Sequence, residues 1–454
     1  MGSKWIEVSL GEISEKIGDG IHGTPIYNDS GNYYFINGSN LSDNSIKITD
    51  TTKRIDHNEF LKHRKQLGDN TVLVSINGTI GNTALYNNED IILGKSACYI
   101  NLKNSISKYF ILYILSGYLF QEYIQRCSTG STIKNVSLKM MRDFRFLMPE
   151  SKEDQEKAVH IIQKIDERKR LSNAQNQTLE QMSQTLFKSW FVDFDPVIDN
   201  ALDAGNPIPE VLQSRAELRQ KVRNSADFKP LPADIRALFP ADFEETDLGW
   251  APKTWKVESL NRIANFQNGL ALQKFRPRNN EEKYLPVLKI ADLRAGYINN
   301  EERATVDIID SCKVYDGDMI FSWSGTLMID IWTGGNAALN QHLYKVTSQK
   351  YPQSFYLMWT KQHLSRFQHI AEAKAVTMGH IKKGDLNDSL CLIPSSLLVD
   401  KYDSIVGKYF TKIKNQRLLN NQLTALRDTL LPRLISGELS LEDLPDLIKQ
   451  TEAA

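Results

Sequence analysis

Two stretches of the chain repeat one order of apolar and polar positions, about 245 to 250 residues apart. The copies begin with the apolar positions Trp5, Val8, Leu10 and Ile13, and Trp255, Val257, Leu260 and Ile263. Each copy contains a Ser-x-x-Gly-Thr motif and ends in an apolar run that closes on a proline, Pro149 or Pro394. A long helical pattern follows each proline. The pattern therefore predicts two versions of one unit, a globular module followed by a helix.

Each module is predicted to mix strands and helices. Short apolar runs bounded by turn residues are typical of strands. They occupy residues 33–36, 71–76 and 91–93 of the first copy and 285–290, 318–322 and 343–346 of the second. Apolar side chains recur at helical spacing over residues 108–125 and 353–370. The predicted fold class is therefore α+β, with two tandem pseudo-repeated modules that each precede a long helix.

The two long helices carry apolar side chains at heptad-like spacing. The predicted helix-pairing side chains are Ile161, Ile165, Leu179, Met182 and Leu186 in the first helix, and Ile405, Tyr409, Leu419, Leu423, Leu426 and Leu430 in the second. Such stripes fit either a helix that lies on its own module or two helices that pair. Because both stripes share one register, with polar residues at matching middle positions, we expect an antiparallel coiled coil. At a rise of about 1.5 Å per residue it would be about 50–60 Å long.

The chain is predicted to divide where these patterns begin and end. Seven of the fifteen prolines fall between Pro196 and Pro252, which indicates a semi-rigid connection between the first helix and the second module. The predicted boundaries are 1–150 for the first module, 151–195 for its helix, 196–250 for the connection, 251–396 for the second module, 397–436 for the second helix and 437–454 for a C-terminal tail.

Composition is that of an ordinary globular protein, with 41% hydrophobic and 24% charged residues among 454. There is no apolar run near the roughly 20 residues that span a bilayer, and no apolar leader pattern follows Met1, so we expect a cytoplasmic protein. The four cysteines show no Cys-x-x-Cys spacing, which favours reduced core thiols. The net charge is zero, but the modules carry about +1 and +4 against −5 for residues 151–250. This asymmetry is compatible with DNA contact by the modules.

Motifs for catalysis and metal binding are missing from the sequence. Gly94-Lys95-Ser96 matches only the end of a phosphate-binding loop, because Glu89 stands where that loop needs glycine. The sequence has no dinucleotide-binding fingerprint, and its eight histidines form no metal-binding pair. Residues 206–209, Asn-Pro-Ile-Pro, differ from the Asn-Pro-Pro-aromatic loop of amino-methyltransferases at the fourth position. The missing motifs favour a chain that supplies no catalytic residue, metal or cofactor of its own, with a self-contained enzyme as the alternative.

Residues suited to DNA recognition remain. In the Ser-x-x-Gly-Thr motif, glycine permits close backbone approach and the hydroxyls can bond phosphate, although a tight turn between strands is the favoured main role. Basic clusters and the segments 131–139 and 377–383 suit phosphates or base edges, with a solvated surface as the alternative. The candidate DNA-contacting residues are Lys53, Arg54, Ser75, Asn77, Gly78, Thr79, Ser131, Thr132, Lys134, Asn135, Lys274, Arg276, Ser322, Ser324, Gly325, Thr326, Thr377, His380, Lys382 and Lys383.

Three further stretches resemble the specificity subunits of type I restriction–modification systems. Residues 187–196, Phe-Lys-Ser-Trp-Phe-Val-Asp-Phe-Asp-Pro, look like the end of that family's central helical region. Residues 238–250, from Leu-Phe-Pro to Leu-Gly-Trp, look like its lead-in to the second recognition domain. Residues 430–439, Leu-Leu-Pro-Arg-Leu-Ile-Ser-Gly-Glu-Leu, look like its C-terminal end. Together with the tandem modules and the helices, the likeness covers the whole chain.

The resemblance implies that each module is a target-recognition domain reading one half of a bipartite, asymmetric sequence in double-stranded DNA. The helices would form the spacer between half-sites. The chain would be non-catalytic and would hold two modification subunits, which bind S-adenosylmethionine and methylate adenine N6. Two restriction subunits would add ATP- and Mg-dependent cleavage. The competing hypotheses are a stand-alone DNA methyltransferase with a diverged active site, and a scaffold that binds proteins only.

Overall fold

The computed structural model describes residues 4–127, 135–279, 283–373 and 379–439. Its chain forms two compact units. The first unit comprises residues 1–169 and 423–454, and the second unit comprises residues 170–422. Each unit therefore contains one predicted module together with parts of both long helices.

The first unit contains eleven short strands among its described residues. They are β1 (Trp5–Ser9), β2 (Ser14–Asp19), β3 (Tyr33–Ile36), β4 (Leu41–Ser42), β5 (Ser45–Ile46), β6 (Arg54–Ile55), β7 (Thr71–Ser75), β8 (Thr83–Leu85), β9 (Ile91–Leu93), β10 (Ala97–Leu102) and β11 (Arg145–Pro149). Its helices are α1 (His57–His63), α2 (Lys108–Ser116), α3 (Tyr118–Cys127), α4 (Leu138–Asp143) and the start of α5 (Lys152–Phe191), with a 3₁₀ turn at Gly38–Asn40.

The main sheet of the first unit is antiparallel, in the order β2-β10-β7-β8. A second sheet has the order β6-β3-β9, in which β3 and β9 run parallel. Strands β1 and β11 pair across the module, with Trp5 opposite Pro149, so the two ends of the module meet. Helix α2 buries its run of residues 110–115 in the core. The helical pattern predicted over residues 108–125 is interrupted at Gly117, which separates α2 from α3.

The second unit repeats this topology. Its strands are β12 (Phe243–Thr246), β13 (Gly249–Pro252), β14 (Lys256–Ser259), β15 (Asn265–Asn268), β16 (Tyr284–Leu288), β17 (Arg303–Thr305), β18 (Lys313–Val314), β19 (Met319–Ser322), β20 (Met328–Ile331), β21 (Ala337–Leu339), β22 (Leu343–Thr347) and β23 (Leu390–Ile393). Its helices are α6 (Asp195–Ala204), α7 (Gln213–Arg223), α8 (Ala233–Arg236), α9 (Leu260–Ile263), α10 (Ile290–Ala295), α11 (Gln353–Ala373), α12 (Lys383–Asn387) and most of α13 (Ser396–Ile435), with 3₁₀ turns at Glu210–Leu212, Leu272–Phe275 and Asp310–Cys312.

The main sheets of the two modules correspond strand by strand. The order β15-β22-β19-β20 matches the main sheet of the first unit, and β16 pairs in parallel with β21 as β3 does with β9. Ser75 lies opposite Ala97, and Ser322 lies opposite Leu343, at the same place in the two sheets. The predicted α+β fold with two tandem modules is confirmed.

The proline-rich connection is more ordered than the sequence pattern indicated. Helices α6 and α7 pack side by side through paired aspartates and arginines spaced four residues apart. Asp195 is buried and accepts two hydrogen bonds from Arg215, both at 2.7 Å. These ion pairs fix a compact helical hairpin that belongs to the second unit. The aspartates and arginines spaced four residues apart were a sequence signal for two paired helices, but the prolines around them indicated a connection without such helices.

The long helices contact each other in both units. In the first unit, Lys169 Nζ donates to Thr424 Oγ1 at 2.6 Å, and Asp166 forms an ion pair with Arg427 at 3.5 Å. In the second unit, Asn420 Nδ2 donates to Asn173 Oδ1 at 2.9 Å, and Gln416 donates to Gln175. In each unit the partner number on α13 falls as the number on α5 rises, so the contacting segments run in opposite directions.

The buried stripe on both helices is displaced from the predicted one. Met182 is 46% exposed and Leu419 is 37% exposed, so the prediction that these two helix-pairing side chains lie in the packed stripe is wrong. Ser183 and Asn420, one position further along, are buried instead. A helix turns every 3.6 residues, so a stripe drawn at heptad spacing drifts off the packed face over several turns.

The other predicted helix-pairing side chains are at least partly buried, and most of them pack against the cores of the modules. Those in contact with a core are Ile161, Leu426 and Leu430 in the first unit, and Leu179, Leu186, Ile405 and Tyr409 in the second. Ile165 is also buried. Leu423, which lies where α13 enters the first unit, is half-buried. Both explanations offered by the sequence pattern therefore apply, because each helix lies on a module and also contacts the other helix.

Candidate nucleic-acid interface

The Ser-x-x-Gly-Thr motif forms a turn at the end of the main sheet in both modules. Ser75 is fully buried, and its Oγ accepts a hydrogen bond from the backbone N–H of Asn82 at 2.8 Å. Ser322 is also fully buried and donates to the carbonyl oxygen of Thr326 at 2.8 Å. These hydroxyls hold the turn, which was the favoured role. Ser75 and Ser322 are therefore removed from the candidate DNA contacts.

The glycine and threonine of each motif stand at the exposed tip of the turn. Gly78 and Gly325 have φ angles of +76° and +63°, which side-chain-bearing residues rarely adopt. Thr79 and Thr326 follow in exposed positions. The motif therefore presents a glycine backbone and a hydroxyl to solvent, both of which can meet a phosphate.

A second segment pairs with each turn. Asn135 bridges to Asn77 in the first module, and His380 bridges to Ser324 in the second. The sequence singled out both segments separately, and the structure brings Asn77 with Asn135 and Ser324 with His380. The candidates Ser131, Thr132, Lys134 and Thr377 lie outside the described residues.

A third loop, the turn before the central strand of each main sheet (β10 or β22), is hydrogen-bonded to the motif. In the first module, the N–H of Ile76 donates to the carbonyl of Ser96 at 2.9 Å, and in the second the N–H of Trp323 donates to the carbonyl of His342 at 3.4 Å. A further loop crosses at Gly20 and Gly269, where an added Cβ would lie 2.0 and 2.2 Å from backbone oxygens. Only glycine allows that approach. We call these four loops of each module the tip loops: residues 19–22, 76–79, 94–96 and 135 in the first module, and 268–271, 323–326, 340–342 and 379–380 in the second.

The tip loops of the second module carry an aromatic cluster. The half-buried Trp323 ring lies 6.0 Å from His342 and 6.2 Å from His380, measured between ring centroids. Its Nε1 donates to Asn268 Oδ1 at 3.1 Å. Tyr344 packs beneath at 5.7 Å, and burial raises the pKa of its phenol. Sequence reasoning did not select Trp323, Asn268 or His342 as candidates.

Two further contacts refine the candidates in the second module. Ser324 is buried and bonded to His342 Nδ1 at 3.0 Å, so it orients that imidazole and is removed from the direct DNA contacts. Thr326 Oγ1 accepts from Arg294 Nη2 at 2.7 Å, so the exposed Arg294 guanidinium lies at the turn. Arg294 stands at the end of α10, over thirty residues from the motif in sequence, and only the fold could reveal it.

The tip loops of the first module carry different side chains. Asp19 pairs with His22 at 2.9 Å, and Lys95 is exposed. Ser96 Oγ donates to Asn37 Oδ1 at 3.0 Å. Lys95 belongs to the partial phosphate-loop match, and the structure places it in a turn between β9 and β10.

The remaining basic candidates lie elsewhere on the modules. Lys53 and Arg54, at edge strand β6, stand over the rings of Tyr27 and Tyr34 at 5.7 and 5.3 Å. The candidates Lys274, Arg276, Lys382 and Lys383 are exposed, the first pair at a 3₁₀ turn and the second pair at the start of α12. Because these four side chains are exposed, they are available to bind phosphates.

The described residues contain no cluster suited to metal binding. Among them, no three His, Cys, Asp or Glu side chains are placed to hold a metal ion. Burial raises the pKa values of the Cys98 and Cys391 thiols, which opposes thiolate formation. Within the same ranges, no helix is long and apolar enough to cross a membrane.

Comparison with known proteins agrees with the tandem architecture. The family model of the type I restriction modification DNA specificity domain matches residues 2–181 and 252–422. The HindI specificity subunit of Haemophilus influenzae is 24% identical over 470 residues, which cover 96% of this chain and 100% of that protein. The MjaIX specificity subunit of Methanocaldococcus jannaschii is 24% identical over 386 residues, 82% of this chain and 78% of that protein.

A solved structure shows the same fold. The type I restriction-modification S subunit from M. genitalium aligns over 95% of this chain and 96% of that chain, with a TM-score of 0.51 at 15% identity. The resemblance found in the sequence is thereby confirmed. Because the two domain matches cover more than half of the chain and coincide with its two modules, the chain belongs to the family of type I restriction–modification DNA specificity subunits.

Proposed function

We propose that the two modules read the two halves of one bipartite, asymmetric target in double-stranded DNA. The observation that supports this is the pair of tip-loop sets. Their bridges and the backbone hydrogen bonds of Ile76 and Trp323 correspond, whereas most of the side chains around these pairings differ. Equivalent surfaces with different side chains suit two different short sequences, because base edges in the major groove present distinct donor and acceptor patterns.

The two long helices act as the spacer that separates the half-sites. In this proposal they pair as an antiparallel coiled coil, and the contacts of Lys169 with Thr424 and of Asn173 with Asn420 support that pairing. Polar residues within a helix pair fix its register at some cost in stability. A fixed register would give a fixed distance between half-sites.

The chemistry resides in partner subunits. A specificity subunit recognises DNA and has no catalytic activity of its own, and its family acts within a type I restriction–modification complex. We assign two modification subunits that bind S-adenosylmethionine and methylate adenine N6, and two restriction subunits that use ATP and Mg. No cofactor is assigned to this chain.

The test is methylome sequencing of cells that express the methyltransferase subunit of the same system with and without this chain. The expected result is a new bipartite motif, with methylated adenine on both strands, that depends on this chain. An assembled complex that methylates no new motif would contradict the proposal and favour a protein-only scaffold. Methyl transfer by the purified chain alone, followed with labelled S-adenosylmethionine, would instead indicate a stand-alone methyltransferase.

A further inference from the structure

The tip loops of the two modules can be compared position by position, because their backbones pair in the same way. Ile76 and Trp323 both donate to the residue before the central strand, Ser96 and His342 respectively. Asn77 and Ser324 form the matching bridges, to Asn135 and His380. The strand registers make Asp19 equivalent to Asn268, since they lie opposite the equivalent residues Cys98 and Tyr344. The order of the intervening turn makes Lys95 equivalent to Gln341.

The equivalent positions fall into two classes. Four pairs of positions that build the frame are identical in the two modules, and they are Gly20 with Gly269, Ser75 with Ser322, Gly78 with Gly325, and Thr79 with Thr326. The positions next to this frame differ, and they are Asp19 with Asn268, Ile76 with Trp323, Asn77 with Ser324, Lys95 with Gln341, Ser96 with His342, and Asn135 with His380. Of these side chains, Ile76 and Ser324 are buried. A frame that stays the same under side chains that change is what two readers of different sequences require.

The differing positions have a distinct chemistry in each module. In the second module three of them are rings, and Trp323 lies about 6 Å from both imidazoles. Bonds from Ser324 and Asn268 hold two of these rings in place. In the first module the same positions hold an isoleucine and small polar side chains, and the exposed cation Lys95 stands beside them.

We propose that Trp323, His342 and His380 determine which bases the second module accepts, and that Asn77, Lys95 and Asn135 do so in the first. This rests on the proposed function in DNA recognition. Imidazole nitrogens can donate to or accept from base edges, and the indole offers an apolar surface for a thymine methyl group. Lysine and asparagine favour the acceptors of guanine and the paired groups of adenine. The two half-sites therefore differ because equivalent backbone positions present different groups to the groove.

The test transplants the first module's residues onto the second. The triple variant Trp323→Ile, His342→Ser and His380→Asn is co-expressed with the methyltransferase subunit, and the methylome is sequenced. The sequence of one half of the bipartite motif should change, or methylation at the wild-type motif should fall about tenfold or more, while the sequence of the other half stays unchanged. The reciprocal variant Asn77→Ser, Lys95→Gln and Asn135→His should alter only the other half.

Matched controls separate recognition from folding. Trp250→Ile replaces an exposed tryptophan of a hairpin outside the tip loops, and His369→Asn replaces an exposed histidine of α11; both should keep the wild-type motif. Thermal unfolding of each variant shows whether it is folded, and the double variant His342→Ser with His380→Asn retains the Trp323 packing if the triple variant unfolds.

The outcomes are distinguishable. A wild-type complex without any chain-dependent motif would refute the proposed function itself. A wild-type motif that persists unchanged in folded triple and reciprocal variants would overturn this inference while leaving the function intact. Loss of both half-sites in a folded variant of one module would also overturn it, because the determinants would then not be local to one module.

Discussion

Arg417 is expected to fix the second module onto the helices that carry it. Its guanidinium on α13 lies 2.7 Å from Asp330 on β20 and 3.0 Å from Glu180 on α5, and it also donates to the carbonyl oxygen of Ile331 at 3.2 Å. One side chain therefore joins three elements of the second unit. Replacing Arg417 with methionine keeps most of the aliphatic packing and removes the charge and its hydrogen bonds.

The magnitude follows from the exposure of the network. A hydrogen bond to a charged group contributes about 1.5–3 kcal/mol when well formed, whereas exposed ion pairs contribute about 0–1 kcal/mol. The side chains of Arg417, Asp330 and Glu180 are 26%, 30% and 31% exposed, between those limits. The variant also leaves the Asp330 and Glu180 carboxylates without this cation. We expect the free energy of unfolding of the second unit to fall by about 2–3 kcal/mol.

Urea unfolding followed by tryptophan fluorescence measures this change directly. Six of the seven tryptophans lie in the second unit, so the signal reports chiefly on that unit. Arg262→Met, at an exposed arginine of α9, is the control and should change stability by under about 0.5 kcal/mol. In a double-mutant cycle with Glu180→Gln, the coupling energy should be about 1 kcal/mol.

Two results would refute this reasoning. An Arg417→Met variant as stable as the Arg262→Met control would mean that desolvation cancels the ion pairs. A coupling energy near zero with Glu180→Gln would mean that the arginine acts on β20 alone and does not join the module to α5.

Three further predictions concern other parts of the chain. Burial lowers the pKa of His363 to about 4 from an ordinary 6.5, so between these pH values the unfolded chain binds more protons than the folded chain, and the free energy of unfolding falls as pH falls. In unfolding titrations from pH 7 to pH 4, His363→Gln should therefore lose about 2–3 kcal/mol less stability than the wild type. Asp195→Asn leaves Arg215 without its buried partner and should cost about 2–4 kcal/mol in the same urea assay, while Asp203→Asn, at a 44% exposed aspartate of the same ladder, should cost far less. DNA binding by the assembled complex should weaken steeply from about 50 to 200 mM salt in an equilibrium binding assay. Lys274→Gln, at an exposed lysine outside the tip loops, should make that dependence shallower; an unchanged slope would exclude a phosphate contact at Lys274.

The Ser-x-x-Gly-Thr motif shows what a short sequence pattern can carry. Serine, glycine and threonine at that spacing predict a turn, and the buried Ser75 and Ser322 hydroxyls do hold one. The pattern could not show that both hydroxyls are used internally, because exposure depends on strands that are distant in sequence. The same limit made Ser324 look like a surface contact rather than the group that orients His342.

The helix stripes show a limit of a different kind. Spacing identified both long helices and buried positions on them such as Ile165 and Leu430. The heptad spacing selected Met182 and Leu419 where the buried residues are their neighbours Ser183 and Asn420, because heptad and 3.6-residue spacing diverge over several turns.

The sequence by itself determined the tandem repeat, the α+β class, the two long helices and the family. Each of these depends on local periodicity or on short runs of residues, and such signals survive without knowledge of the fold. Only the tertiary structure decided which side chains share a surface. Asn77 meets Asn135, and Arg294 meets Thr326, because strand register and crossover connections bring together positions that lie 58 and 32 residues apart. That register is set by the packing of the whole core, and no single stretch of the chain contains it.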